Sequence, residues 1–429
     1  MPRPMPRRAC SPVLAAIMLP LLSAPLWAAD PPGAARPGRL TMTTLERPAD
    51  EEIEPRRTPR PVQRGPKRQP AAARGAGLAP AADRAAAPAP ATKAQAIGRG
   101  VQYLIGSQRN DGGWNSGEHP MAADLSNTSI AGLAVLRAGT AVAVRGEEEA
   151  MERAVRFVNG RVAASADAEL WAPRPDVVDG TVQRDLGVGV DAVLAALFLA
   201  ESIETAEADH QAATAKKSLD TLMRVITRNV REQPNAFAAG GQALTRGLIA
   251  HAVDRATRVG VEADDDLVPL ITANGPKNMG LYGDAGRVGC LHVAWRRSGG
   301  GSSHAFAQIA DEAASAAPVA AGPVGTAREL EALGKSLVKP VLANPRNQWP
   351  YGAGGEVFLA LMFLTAMLQD TNADAAAAWT ARVDAQLIQT QNAQGSWTGS
   401  SCINSRVFCT SSALLVMVPT RDGAAVAGR

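Results

Sequence analysis

Aromatic residues are scarce in this chain of 429 residues, where they make up 4% of the sequence. So low a content excludes a binding site built mainly from stacked rings. The formal net charge is only +3, so the composition predicts no specific attraction to a nucleic acid. Outside the amino terminus, no apolar run reaches the roughly 18 residues of a membrane-spanning helix. The longest run, residues 357–368, is typical of a buried helix.

Cysteine is also rare, with four in the chain, of which Cys10 lies in the amino-terminal segment described next. Cys402 and Cys409 flank a loop that precedes an apolar run. In an oxidising compartment such a pair is a disulfide candidate. Cys290 is then left over, and we expect it to be a buried thiol.

Residues 1–29 are typical of a secretory signal peptide. Arg3, Arg7 and Arg8 precede an apolar run, and Ala28 and Ala29 supply the small residues of a cleavage site. The pattern predicts export, to a periplasm or into the medium. The alternative is an uncleaved anchor, which would then be the protein's contact with a membrane.

Residues 30–93 are rich in Pro, Ala and Arg and carry almost no periodic apolar residues. A segment of this composition cannot bury enough surface to offset its chain entropy, so we predict a disordered linker. Its arginines could contact an anionic surface, although a solvated spacer is the simpler interpretation.

A motif of the form Gln-x-x-x-Gly-x-Trp occurs twice, each time between an amphipathic and an apolar run. We expect the glutamine to end a helix, where its amide serves carbonyls that lack partners, while the glycine allows a tight turn and the tryptophan packs. These structural residues are Gln108, Gly112, Trp114, Gln391, Gly395 and Trp397.

From residue 94 onward, amphipathic segments alternate with segments that are apolar on all sides, and the latter predict helices buried on all sides. The apolar segments begin near Ser129, Gly187, Gln242, Val288, Gly355 and Val407. Alternating outer and inner helices that close on themselves leave no uncapped apolar end. The expected fold is therefore an all-α (α/α)6 toroid over residues 94–420, with a short tail at 421–429. Its inner helices would surround a central cavity, and their amino ends would share one mouth.

The two repeated segments resemble the QW motifs of squalene and oxidosqualene cyclases, and the alternation resembles the wider superfamily of terpenoid cyclases and protein prenyltransferases. Residues 394–414 are similar to the last repeat, and residues 126–134 to the first repeat, of exported bacterial squalene-cyclase-like proteins. The resemblance covers about residues 94–420. It implies the toroid fold and, in the cyclases, the isomerisation of a polyprenoid.

Cyclases of this family protonate a polyene with an aspartic acid in an Asp-x-Asp-Asp motif, and aromatic faces stabilise the resulting cation. The best local match is residues 124–127, in which Asp124 matches the first aspartate but Ser126 stands at the position of the proton donor. A hydroxyl cannot protonate an alkene. A second acidic run, residues 264–266, precedes a predicted helix and is interpreted as its amino-terminal cap.

The prenyltransferases of the superfamily hold zinc with Asp, Cys and His, and Asp284, Cys290 and His292 lie close in this sequence. Cys290 and His292 are two apart, however, and would point to different faces of a helix. We therefore predict no metal and no cofactor.

The predicted mouth collects polar residues of mixed charge, which suit a small polar molecule, a peptide or an envelope component better than a hydrocarbon. They are Asp124, Asn127, Asp185, Asp191, Gln242, Arg246, Asp284, Arg287, His292, Glu356 and Arg406. If the protein is an enzyme, Asp124, Asp284 and His292 are the candidate catalytic residues.

Our hypothesis is a non-catalytic binding or scaffold module of the cell envelope. The first alternative is a terpenoid cyclase or isomerase with a displaced acid. The second is a toroid polysaccharide hydrolase or lyase, which would need paired acids and sugar-stacking rings along one groove.

Overall fold

The computed structural model describes residues 92–116, 123–172, 181–206, 209–234, 236–237, 241–273, 280–297, 323–343, 354–399 and 403–418. The predictions for the signal segment, for the linker up to residue 91, for the tail and for Cys402 lie outside these residues.

Within the described ranges the protein is helical and contains no strand, which confirms the predicted all-α class. Trp114 and Asp124 form an isolated antiparallel β-bridge. The helices are α1 (Lys93–Ser107), α2 (Leu125–Gly139), α3 (Glu147–Ala164), α4 (Asp167–Trp171), α5 (Thr181–Leu186), α6 (Val190–Thr205), α7 (Asp209–Glu232), α8 (Gln242–Arg258), α9 (Leu267–Ala273), α10 (Gly280–Arg297), α11 (Pro323–Ala343), α12 (Gly355–Thr371), α13 (Ala373–Thr390) and α14 (Arg406–Met417).

Short polar side chains start several of these helices. Thr92 begins α1 with a reciprocal capping box that includes Gln95. Asp124, Asn372 and Ser405 each accept a backbone N–H from the first turn of α2, α13 and α14. Each such cap is worth about 1 kcal/mol, because it satisfies an N–H that has no partner within the helix.

Two kinds of helix alternate along the chain. Helices α2, α6, α8, α12 and α14 are buried over nearly their whole length, as in α12, where every residue from Gly355 to Leu368 is buried. In α3, by contrast, the buried residues Ala150, Ala154, Val158 and Val162 form a single stripe. No helix among the described residues is long and apolar enough to span a bilayer.

Helix α10 begins at Gly280, well before the start near Val288 that the apolar pattern predicted. The glycines of its first turns lower intrinsic helix propensity, but tertiary packing uses them. A Cβ on Gly286 would lie 1.9 Å from the carbonyl oxygen of Ala243 in α8, so glycine permits the two backbones to pack closely.

We call α2, α6, α8, α10, α12 and α14 the core helices. Each packs against the next in chain order, and α14 packs against α2. Six further helices pack against them, and we call these the outer helices: α1, α3, α7, α9, α11 and α13. The order of contacts between core helices therefore closes on itself.

Contacts between neighbouring core helices join amino end to amino end and carboxyl end to carboxyl end. Tyr282 in the first turn of α10 meets Glu356 in the first turn of α12, and His292 in the carboxyl half of α10 meets Asp370 near the end of α12. Ser405, the cap of α14, meets Asn127 in the first turn of α2. Neighbouring core helices therefore run in the same direction and share an amino end and a carboxyl end.

Candidate functional site

The first Gln-Trp loop joins α1 to α2 through a compact set of hydrogen bonds. The Gln108 amide donates to the carbonyl oxygens of Gly112, at 2.9 Å, and of Ala150 in α3, at 2.8 Å. The Trp114 ring N–H donates to the carbonyl of Leu104 in the last turn of α1, at 2.7 Å. We expected the glutamine amide to donate to the unpaired carbonyls at the end of α1, but the tryptophan ring N–H does so instead. The glutamine instead ties the loop to the next outer helix.

The second loop repeats this geometry between α13 and α14. The Gln391 amide donates to the carbonyls of Gly395, at 2.7 Å, and of Ala96 in α1, at 2.8 Å. The Trp397 ring N–H donates to the carbonyl of Leu387, at 2.9 Å. Because the second loop contacts α1, these loops join α13 to α1 and α1 to α3 in the same way.

Asp124 is bound within its own helix start. Its carboxylate accepts from the backbone N–H of Asn127 at 2.7 Å, from the Asn127 amide at 2.8 Å and from the Ser126 hydroxyl at 3.0 Å. Burial raises the pKa of this carboxyl, and these hydrogen bonds oppose the shift. Both carboxylate oxygens of Asp124 are thus engaged within the first turn of α2.

Asn127 continues the same network toward the neighbouring core helix. The Ser405 hydroxyl lies 3.0 Å from its amide oxygen and 3.1 Å from the carbonyl oxygen of Ser116. At the same end, the buried Glu356 accepts the backbone N–H of Ile403 at 3.2 Å. Arg406 is exposed and donates to Gln394 at 2.9 Å. These polar groups connect α2, α12 and α14 where the three helices begin.

The remaining predicted residues lie at the amino end of α6, α8 and α10. Asp191, in the first turn of α6, accepts from Gln183, and Gln242 begins α8 against Gly187. Asp185 pairs with Arg184 at 3.3 Å, and one of its carboxylate oxygens is buried without a hydrogen-bond partner in the described part of the chain.

Two arginines lie near each other at the start of α8 and α10. Burial lowers the pKa of Arg246, and the positive charge of Arg287 lowers it further. Arg287 pairs with Glu329 of α11. Within the described residues, a carboxylate oxygen of Asp284 and the Nε of Arg287 are buried without a hydrogen-bond partner. The amino end of α10 thus offers both an acceptor and a donor.

Of the three cysteines that carried predictions, Cys290 and Cys409 are described, and both are buried. Burial raises the pKa of the Cys290 thiol to about 12. Cys409 lies with its Sγ 3.2 Å from the carbonyl oxygen of Ile403, and the predicted disulfide stays a prediction because Cys402 is not described. No group of three His, Cys, Asp or Glu side chains within the described ranges could hold a metal ion. The second acidic run lies just before α9. The Asp264 carboxylate accepts the backbone N–H of Asp266, and Asp264 and Asp265 pair with Arg231 and Arg297.

His292 does not lie at the mouth, where the sequence placed it. Because α10 begins at Gly280, this residue falls in the carboxyl half of the helix. Its Nε2 lies 3.0 Å from a carboxylate oxygen of Asp370, and its side chain is 1% exposed. His292 therefore belongs to a buried charged network at the carboxyl end of the core helices, which the sequence analysis missed.

This network connects five core helices. Arg137 of α2 pairs with Glu201 of α6 at 2.5 Å, and Arg255 of α8 lies 3.7 Å from the same carboxylate. Arg296 of α10 lies 3.8 Å from Asp370 of α12. The sequence contained a feature that could have predicted this network: each of these otherwise apolar helices carries charged residues near its carboxyl end.

His251 lies among these charges, and burial lowers its pKa well below the usual value. Its ring stacks on Phe363 with centroids 5.4 Å apart and lies 6.1 Å from the ring of His292. In the described residues its Nε2 is buried without a hydrogen-bond partner. This imidazole is therefore neutral at physiological pH.

A groove of about 770 Å³ opens beside the carboxyl ends of α2 and α6, where α3 and α7 begin. Apolar side chains line it together with four glutamates of α3. Its lining includes Leu136, Val144, Glu147, Glu148, Glu149, Met151, Glu152, Val155, Ile203 and Gln211. The sequence analysis did not predict this groove, because it lies between segments that are far apart in the chain.

Comparison of the chain with protein-family models, with curated proteins and with solved structures found no match.

Proposed function

We propose that the chain is an exported (α/α)6 toroid of the squalene-cyclase-like kind, which binds a polar ligand as a module of the cell envelope and catalyses no cyclisation. The closed contact order of the core helices supports a toroid, because parallel helices that each pack between two neighbours form a ring. The two Gln-Trp loops support it too, since each ties one outer helix to the next with the same hydrogen bonds.

The hydrogen bonding of Asp124 carries the proposal that no cyclisation occurs. This residue is the best match to the cyclase acid, and its carboxylate is taken up by three donors of its own helix start. A catalytic acid needs a proton that faces the substrate in a dry cavity. Asp124 instead acts as a helix cap, with both carboxylate oxygens bonded to donors of its own first turn.

The aromatic rings of the core helices are also engaged in packing. A Cβ on Gly132 would lie 2.6 Å from the ring of Phe198, and a Cβ on Gly247 would lie 2.7 Å from the ring of Phe363. The two rings therefore pack directly against the backbone of a neighbouring helix. Phe363 also stacks on His251. Rings held between helices in this way are not free to present their faces to a carbocation.

Polar groups at the amino end of the core helices α6, α8 and α10 favour a polar ligand. Asp185, Asp284 and Arg287 each keep a buried polar atom without a hydrogen-bond partner in the described ranges. Such atoms cost free energy unless a water or a ligand satisfies them. A ligand with both donors and acceptors, such as a short peptide, complements this set.

The catalytic part is tested by incubating the purified chain with squalene and analysing the extract by gas chromatography. We expect unchanged squalene. A cyclic product that is formed by the wild type and lost in Asp124→Asn would contradict the proposal and establish the cyclase alternative.

The binding part is tested by selecting displayed random 12-residue peptides on the immobilised chain. We expect a related set of peptides to bind the wild type and to lose most of that binding in the double variant Asp284→Asn/Arg287→Gln. A matched control is Glu262→Gln/Arg228→Gln, which changes the same charges at exposed positions. Equal enrichment on both variants would remove the amino end as the binding site.

A further inference from the structure

The groove beside α3 has a floor of apolar side chains that the fold leaves partly uncovered. Val144, Met151, Val155 and Ile203 are half-buried, although each packs against the hydrophobic core. Half-exposed apolar side chains that line one continuous concave surface are typical of a site that another molecule covers.

One wall of the groove is acidic. Glu147, Glu148, Glu149 and Glu152 line it, and its described lining contains no lysine, arginine or histidine. Glu152 pairs with Arg156 at 3.4 Å, whereas the other three form no ion pair within the described ranges. Burial raises the pKa of Glu147, so this carboxylate is partly removed from water. A cation that entered the groove would find an unmatched negative wall.

We propose that this groove docks a basic amphipathic helix of a partner protein. The apolar and acidic positions run together from Glu147 to Val155, about 12 Å along α3 at the helical rise of 1.5 Å per residue. Apolar anchors of a docked helix at positions i, i+3, i+4 and i+7 span about the same length. Lysine or arginine at the edge of that helix then faces the glutamates while its apolar stripe covers the floor.

The proposed docking surface lies at the carboxyl end of the core helices, away from the ligand site proposed for the amino end. It uses none of the residues assigned to that site. The two proposals are therefore tested independently, because groove variants leave Asp284 and Arg287 unchanged.

The probe is a fluorescent, amidated 14-residue peptide of leucine and lysine, with its leucines at helical spacing, titrated with the full chain and followed by anisotropy. The comparison peptide carries glutamate in place of every lysine. We expect the lysine peptide to bind and the glutamate peptide not to bind. Raising the salt concentration should weaken binding, since the exposed part of the attraction is screened.

The acidic wall is tested with Glu148→Gln/Glu149→Gln, two exposed positions at which the change should leave the fold intact. Neutralising two favourable charges should weaken binding about tenfold. The matched control, Glu262→Gln/Asp374→Asn, removes the same charge at exposed positions elsewhere and should leave the affinity unchanged. Met151→Ser tests the floor and should also weaken binding.

Three outcomes would overturn the proposal. The first is equal affinity for the lysine and glutamate peptides, and the second is an affinity that the Glu148→Gln/Glu149→Gln variant does not change. The third is a dimer of the purified chain, seen by sedimentation, that the same variant dissociates, since the occupant would then be a second copy of this chain.

Discussion

The guanidinium of Arg137 makes two hydrogen bonds to the carboxylate of Glu201, which lies 64 residues further along the chain, at 2.8 and 2.5 Å. Both side chains are about 5% exposed or less. The pair joins the carboxyl ends of α2 and α6 and continues through Arg255 into α8. Two charges in such a place stabilise the fold only while both are present.

Replacing Arg137 by methionine should therefore destabilise the protein by about 3–5 kcal/mol, because Glu201 would lose its bidentate partner while remaining buried. The double variant Arg137→Met/Glu201→Gln should be more stable than the single variant. The measurement is the free energy of unfolding in urea. As a control, Arg224→Met removes an exposed pair with Asp220 and should change that free energy by no more than about 0.5 kcal/mol.

The cap of α2 gives a second prediction. Asp124→Ala should cost about 1–2 kcal/mol, because the backbone N–H of Asn127 would lose its acceptor. Asp124→Asn keeps an acceptor oxygen and should cost less. Thermal unfolding of the two variants measures the difference. Equal losses would show that the carboxylate does more than cap the helix.

The glycines of the two Gln-Trp loops give a third prediction. Gly112 and Gly395 have φ angles of 89° and 84°, and a Cβ on them would lie 2.5 Å and 2.6 Å from the carbonyl oxygens of Arg153 and Arg99. Alanine at either position should destabilise the protein by about 1–3 kcal/mol, from backbone strain and from the contact.

Gly160 is the matched control for these two variants. It lies inside α3, is exposed, and a Cβ there would meet nothing within 4 Å. Gly160→Ala should therefore stabilise the protein by about 0.5–1 kcal/mol through helix propensity. Chemical denaturation of the three variants side by side tests the contrast. Similar effects at all three positions would contradict it.

Protonation of His251 should make stability depend on pH. Burial and the positive charges of His292, Arg296, Arg137 and Arg255 hold its folded pKa well below 6.5. In the unfolded chain the imidazole binds a proton near pH 6.5, so stability is fully present above that pH and falls as the pH is lowered below it. Urea unfolding between pH 8 and pH 5.5 measures this slope.

The variant His251→Leu cannot take up a proton and should show a shallower dependence than the wild type over that range. Its ring contact with Phe363 is lost, so its overall stability is expected to be lower at every pH. Parallel curves for the two proteins would place the pH dependence elsewhere.

Cys290 should be inert in the folded protein. Burial raises the pKa of this thiol to about 12, so it stays protonated at pH 8, and its side chain is buried. Iodoacetamide should label it after unfolding in urea and not before, as followed by peptide mass mapping. Rapid labelling of the native protein would mean that this part of α10 opens readily.

Features that depend on one continuous segment were predictable. The apolar run at 357–368 lies within the buried helix α12, and the polar start at Gln242 is the first residue of α8. The two repeated motifs predicted two loops with the same geometry, because the same residue types at the same spacing make the same local hydrogen bonds.

Features that depend on which segments become neighbours were not predictable in this way. His292 was predicted to lie at a helix start because the apolar segment was expected to begin near Val288. Helix α10 instead begins at Gly280, and Gly286 allows it to pack closely against α8. Its partner Asp370 comes from another core helix, as does the partner of Arg137.

The sequence alone determined that the described part of the chain is helical, where most of its apolar helices run and which loops repeat, since periodicity, caps and turn residues act within a few positions. Only the tertiary structure decided that charges near the carboxyl ends of the core helices pair across them, and that four glutamates border an open apolar groove. Burial and ion pairing depend on distances in space, which residues far apart in the chain acquire only when they pack together.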